Sequence, residues 1–318
     1  MDKQTFEKII DQFQNEKDAL GQSLNMHYLL IKQGDTCYQY RFKKEASPSD
    51  IRSISKTVMT MVFGVVMRQA ELGKLPPIDE ETYVYPFLKD AIPITNKDNI
   101  DMLKKVQVKH LLTHTVGYDD VLLMRDDIKD MDPYEYATYV VNYPIIHEPG
   151  SHYLYSNAGF YLLSIVLQHF LQEDLHTFME REFFNPLGIL DFTWEKYGHY
   201  LAGATRLWLL PEDLLSIGQL LLNDGKVNGK PLMSQSWIKK MLTIAHITPE
   251  FDSPGASFRR YAYGYGIWLT KDKIYFSHGT DGQILIVLPE KDTILISLAE
   301  QADIKPIENI FNRVIEHL

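Results

Sequence analysis

The sequence predicts an α+β protein, with one antiparallel sheet built from both ends of the chain and a mostly helical insertion between them. Short β-prone runs cluster near the two termini, split by turn residues. Each cluster lies beside an amphipathic helical pattern at its own end of the chain. Residues 75 to 257 are dominated by helical patterns and loops. The expected partition is residues 1–74 with 258–318 for the sheet domain and 75–257 for the insertion, with a cleft between them.

Taken in order, Phe6, Ile9, Ile10 and Phe13 recur at helical spacing and predict a helix over residues 3–20. MHYLLIK and TCYQYRF follow, separated by QGDT, and predict a hairpin. The alternation in TCYQYRF makes Cys37 a buried strand residue in this reading. From Ser53 to about Glu71 the chain is apolar almost all round, as in a helix buried in the middle of a domain. LLPEDLLSIGQLLLNDG opens on Pro and acids and closes on Asn223-Asp224-Gly225, a further helix. YGYGIWL, KIYFS, QILIVL and TILISL predict the second set of strands. Ile307, Ile310, Phe311, Val314, Ile315 and Leu318 form the stripe of a last helix.

Composition narrows the function. The chain has 318 residues, 45% hydrophobic and 23% charged, enough apolar material for a large core. A net charge of −10 argues against nucleic-acid and anionic-membrane partners, since both need a basic face. One cysteine excludes an internal disulfide. The N-terminus has no apolar signal region, and the uncharged run Thr57 to Met67 is 11 residues, against about 20 for a membrane span. A cytoplasmic location is expected. Oligomeric state is not legible.

RSISK, residues 52–56, poses the chemical question. Ser53 and Lys56 lie three apart and share a helix face. A serine needs a base to become a nucleophile, and a lysine becomes one when desolvation lowers its pKa. The apolar run behind the pair supplies desolvation, and the helix N-terminus favours developing negative charge. The other reading is an exposed helix residue. Ser236-Trp237-Ile238-Lys239 repeats the spacing in a polar setting, so spacing alone decides little. Tyr155-Ser156-Asn157 sets a phenol and a carboxamide two apart, suited to proton transfer and carbonyl anchoring, or simply to a helix cap. FSHGTDGQ, residues 276–283, places glycines at a strand edge where an N–H can complete an oxyanion hole with that of Ser53. His110 and His114 lie four apart with no third ligand evident, and no metal or cofactor is expected. Ser277, His278 and Asp281 are too close in sequence for an ordinary triad.

These motifs together resemble the serine β-lactamase and penicillin-binding protein superfamily, in particular the class C β-lactamase-like hydrolases and esterases. LLTHTVGY, EPGSHYLYSNAGFYLL, NPLGILDFTW and AGATRLWLLPEDLLSIGQLLLNDGKVNGKPL look like family segments in family order. The resemblance implies a five-stranded antiparallel sheet flanked by terminal helices. It implies Ser53 as acylated nucleophile, Lys56 as its base partner, Tyr155 as general base and acid, and Asn157 as a substrate contact. The third motif departs from the family's Lys-Thr-Gly: Ser277, His278 and Gly279 take those positions as substrate contacts, with the backbone N–H groups of Ser53 and Thr280 as oxyanion hole. A protonated His278 would replace the missing cation. The Gly-x-x-Gly-Gln pattern is similar to that of 6-aminohexanoate-dimer hydrolases. The implied substrate is a small ester, amide or short peptide, cleaved through an acyl-enzyme. The alternative is a sensor that acylates with little turnover.

Overall fold

The computed structural model describes residues 1–44, 47–248 and 260–318. Its centre is an antiparallel sheet of eight strands: β1 (Met26–Gln33), β2 (Thr36–Arg41), β3 (His246–Ile247), β4 (Ala262–Tyr263), β5 (Trp268–Leu269), β6 (Tyr275–His278), β7 (Ile284–Leu288) and β8 (Thr293–Ala299). Their order in space is β3-β4-β5-β6-β7-β8-β1-β2. The two ends of the sequence meet where β1 pairs with β8, Leu29 opposite Ser297 and Ile31 opposite Leu295.

Period-two alternation gives the sheet two buried faces. Leu29, Ile31, Ile284, Ile286 and Leu295 pack toward helices α1 (Lys3–Asn15) and α6 (Lys305–His317). Tyr28, Leu30, Leu285, Val287, Ile294 and Ile296 pack toward the larger core that holds the internal helices. Phe13 of α1 meets Phe311 of α6 edge-on at 5.6 Å. Asp2 caps α1 by accepting from the Thr5 N–H at 2.8 Å. The helix stops at Asn15, not residue 20, because Glu16 turns to extended backbone.

The five strands of four or more residues, β1, β2, β6, β7 and β8, match the implied sheet, and three two-residue strands widen it. The reason is glycine. Gly264 and Gly266 break the aromatic stretch 261–269 into a hairpin, β4–β5, instead of one strand. Gly266 has φ +70, and a methyl group there would stand 2.1 Å from Thr60 Oγ1. β3 precedes the expected domain boundary at 257/258, which itself lies outside the described residues, yet it joins the sheet.

Cys37 corrects the sequence reading: it is exposed. β2 is an edge strand, and Phe6 of α1 stacks on Tyr38 at 5.3 Å, so Cys37 falls on the opposite side of the pleat.

Helix α2 (Ile54–Glu71) is buried continuously from Ile54 to Val66. Helices α3 (Val108–Leu112), α4 (Ala158–Leu171) and α5 (Pro211–Leu222) complete the support used below. Gly64 lets Trp237 close on α2, where a methyl group would stand 2.3 Å from the indole. Trp237 Nε1 donates to Thr60 O at 3.1 Å. No helix among the described residues is long and apolar enough to cross a membrane.

Candidate active site

The approach to Ser53 is strained. Arg52 has φ +52, a left-handed conformation that a bulky side chain rarely adopts. It is held by a dense set of contacts. The Arg52 N–H donates to Asp50 Oδ1 at 2.8 Å, and its guanidinium pairs with Asp50 at 3.0 Å and Asp281 at 2.9 Å. This kink sets Ser53 at the N-cap of α2, where the helix presents its positive end.

One helical turn on, Lys56 is 1% exposed. Its Nζ lies 3.0 Å from Ser53 Oγ, 2.8 Å from Asn157 Oδ1 and 3.2 Å from Ala204 O. Three oxygen acceptors match the three N–H groups of an ammonium. They also suit the neutral amine, which can keep Asn157 and Ala204 as acceptors while its lone pair faces the serine. Burial pulls the Lys56 pKa down to about 7, so both forms are accessible near neutrality.

Tyr155 covers this group. The Lys56 ammonium stands 4.8 Å from the centre of its ring, and its phenol lies beside the Ser53 side chain. Trp268 stacks on the other side at 5.4 Å, and His114 packs against the ring at 4.4 Å. Burial pushes the Tyr155 phenol up to about 12, so it is neutral at ordinary pH. Asn157 is held by two bonds within the protein. Its Oδ1 accepts from Lys56 and one N–H of its Nδ2 donates to Leu123 O at 2.8 Å, while the residue borders the cleft. Ser156 ties down the same loop through both polar groups of the Leu122 backbone.

The third motif arrives from β6. Ser277 is buried, with its hydroxyl bonded to Thr57 Oγ1 of α2, and the side chain braces helix against strand. His278 does not supply the missing cation. Burial, aided by the Arg260 guanidinium, lowers it to about 3, and its ring is neutral. Arg260 lies 5.9 Å from the Trp268 ring and 3.4 Å from Glu308. Gly279 is a steric requirement: a methyl group there would lie 2.6 Å from Arg52 Cβ and 2.3 Å from Gln283 Oε1. Thr280 is exposed and borders, with Ser53 and Asn157, a cleft of about 630 Å³. Arg125, Lys129 and Arg206 also line that cleft, as do Asp126, Glu195 and Asp281.

With this geometry in place, the chain matches the family model described as Beta-lactamase over residues 11–307. The chain belongs to the beta-lactamase family. Solved structures of like fold include a penicillin-binding protein from Bacillus halodurans, at 18% identity and TM-score 0.70, covering 98% of this chain and 99% of that one. A Bacillus anthracis protein assigned as a 6-aminohexanoate-dimer hydrolase matches at 18% identity and TM-score 0.71, covering 92% and 78%. EstCE1, described as a hydrolase with promiscuous acyltransferase activity, matches at 15% identity and TM-score 0.73, covering 98% of both chains. At such identities the likeness carries the beta-lactamase fold and nothing finer.

Within this beta-lactamase fold the remaining candidates separate cleanly. Ser236 and Lys239 of the second S-x-x-K are both exposed on a short helix capped by Ser234. His110 and His114 do not converge: the His110 ring accepts from the Gln107 N–H at 3.1 Å, the His114 ring from the Ser156 N–H at 3.4 Å. His114 instead steadies Tyr155. Sequence reasoning missed Arg52, Arg260, His114 and the Ala204 carbonyl. LLTHTVGY and AGATR flagged the last two segments without revealing their parts.

Proposed function

We propose that the protein is a serine hydrolase that cleaves a small ester or amide through an acyl-enzyme on Ser53. The observation that carries this is the sealed Lys56 amine, 3.0 Å from Ser53 Oγ, with its pKa near 7. Neutral Lys56 takes the Ser53 proton as Oγ bonds to the substrate carbonyl carbon. The backbone N–H groups of Ser53 and Thr280 receive the carbonyl oxygen, which carries negative charge in the tetrahedral species. The neutral Tyr155 phenol passes a proton to the departing oxygen or nitrogen and is reprotonated from Lys56. Water then attacks the acyl carbon with the same base, and Ser53 is released. Here Lys56 is the base and Tyr155 the acid relay, since only the lysine changes charge near neutral pH.

Mixed charge in the cleft supports polar substrates such as linear amides or short peptides. The neutral His278 argues against recognition of a β-lactam carboxylate at that position. The test is a fluorophosphonate probe with peptide mass mapping, beside hydrolysis of p-nitrophenyl esters, nitrocefin, D-Ala peptides and ω-amino amides by wild type and Ser53→Ala. Label on Ser53 and turnover lost in the variant are expected. Label elsewhere, or equal rates, would refute the assignment. A stoichiometric burst without turnover would mark a sensor instead.

A further inference from the structure

We propose that Asp119, His147 and His152 form a binding site for one divalent transition ion of the zinc class, independent of the reaction at Ser53. One donor atom from each side chain lies within 4.8 Å of the other two. His147 Nε2 is 2.9 Å from Asp119 Oδ1, and the His147 and His152 rings stack at 4.1 Å. Asp119 lies 28 residues before His147, and His152 follows on the same turn, with no metal-binding motif to announce them.

The backbone holds them ready. The Ile146 and His147 N–H groups both donate to Gly117 O, at 3.1 and 3.0 Å. Gly117 has φ +106, and a methyl group there would stand 2.2 Å from His147 O, so the two segments lie in contact. The intervening turn is closed by Ser151, whose N–H and Oγ donate to Glu148 O at 3.0 and 2.6 Å. Gly150 N donates to Thr115 O at 2.8 Å. This returns the chain so that His152 reaches His147. Neighbouring acids are engaged elsewhere, Glu148 with Lys105 and Asp120 with the Tyr143 hydroxyl.

The chemistry selects the ion. Two imidazole nitrogens and one carboxylate suit zinc, cobalt, nickel or copper, and not magnesium or calcium. Tetrahedral donors at about 2.0–2.2 Å from one ion stand about 3.4 Å apart, so side-chain rotations that move these atoms by about 1 Å and unstack the two imidazoles complete the site. Water fills the remaining positions. The ion takes the place of the His147–Asp119 hydrogen bond, with the neutral imidazole carrying its hydrogen on the nitrogen turned away from the ion. A bound ion ties the Asp119 segment to the 147–152 turn. The Asp119 segment leads to Leu122 and Leu123, whose backbone holds Ser156 and Asn157.

Full-length untagged protein, stripped with chelator, is titrated with ZnCl2 and separately with MgCl2, and bound metal is measured by mass spectrometry after dialysis. One zinc per chain, no retained magnesium and a raised thermal midpoint with zinc are expected. The His147→Ala/His152→Ala variant should lose the zinc and the shift. Asp119→Asn, an exposed change that keeps the fold, should weaken zinc at least about tenfold, as loss of one ligand does. Cobalt in place of zinc should give visible absorption in wild type only. No zinc uptake by wild type, or uptake unchanged in the variants, overturns the proposal.

Discussion

At the residue scale, a lysine inside a protein is a charge taken out of water. Lys56 therefore couples activity and stability to pH. The proposed reaction needs the neutral amine, so kcat/KM should rise with pH through about 7 and then level. For stability, folding lowers the lysine pKa from 10.5 to about 7. Between those values the unfolded chain binds the extra proton, so unfolding free energy rises with pH across that window. The slope approaches about 1.4 kcal/mol per pH unit. Urea unfolding of wild type and Lys56→Met across pH 6 to 10 should diverge in this sense; parallel curves would mean the amine is not desolvated.

Gly279 makes a second test. Gly279→Ala presses on Arg52 and Gln283 and shifts the Thr280 N–H relative to Ser53, and kcat/KM should fall about 100-fold with little change in fold. Near-wild-type ester turnover would remove Thr280 from the oxyanion hole. Ser53, Lys56 and Tyr155 were legible because residue type, spacing and apolar context agree. The meetings of Arg52 with Asp281, Arg260 with Glu308 and Asp119 with His147 were not, because chain folding alone brings those partners together.

At the element scale, α2 carries the proposed nucleophile and base and must sit still. Gly64 is a poor helix residue kept for the close approach of Trp237. Gly64→Ala should destabilise by about 1–3 kcal/mol through overpacking, despite its better helix propensity, as read from urea midpoints. A gain in stability would show that the indole moves aside easily. The elements themselves were readable from periodicity, since burial on one helix face or alternate strand positions leaves a direct trace. Their ends were less so. The Gly264–Gly266 hairpin replaced an expected strand because a strand pattern does not reveal that α2 packs against the turn. Cys37 was misplaced for a similar reason: alternation identifies two faces of an edge strand but not which one the terminal helix covers.

At the scale of the whole molecule, terminal helices cover one sheet face and the internal helices the other, with the candidate site at the junction of α2, β6 and the loop around Tyr155. Phe311 sits in the outer layer, against Phe13 of the other terminal helix. Phe311→Ala should therefore cost about 3–5 kcal/mol in urea unfolding. The kcat per titratable Ser53 in the folded fraction should stay unchanged. A matching loss of kcat would mean that strain crosses the sheet. This layering was legible before any coordinates because matched patterns at both chain ends leave few ways to pair. The cleft wall was not, since Arg125 and Lys129 reach it from a stretch that carries no motif.

Trp268 lies flat against Tyr155, which in turn covers Lys56. That arrangement gives the protein a built-in optical reporter. Indole emission responds to the local electric field, so a change of charge on the lysine should alter the fluorescence of Trp268. Stopped-flow emission from wild type, minus that of Trp268→Phe, should follow acylation of Ser53 in real time for substrates that carry no chromophore.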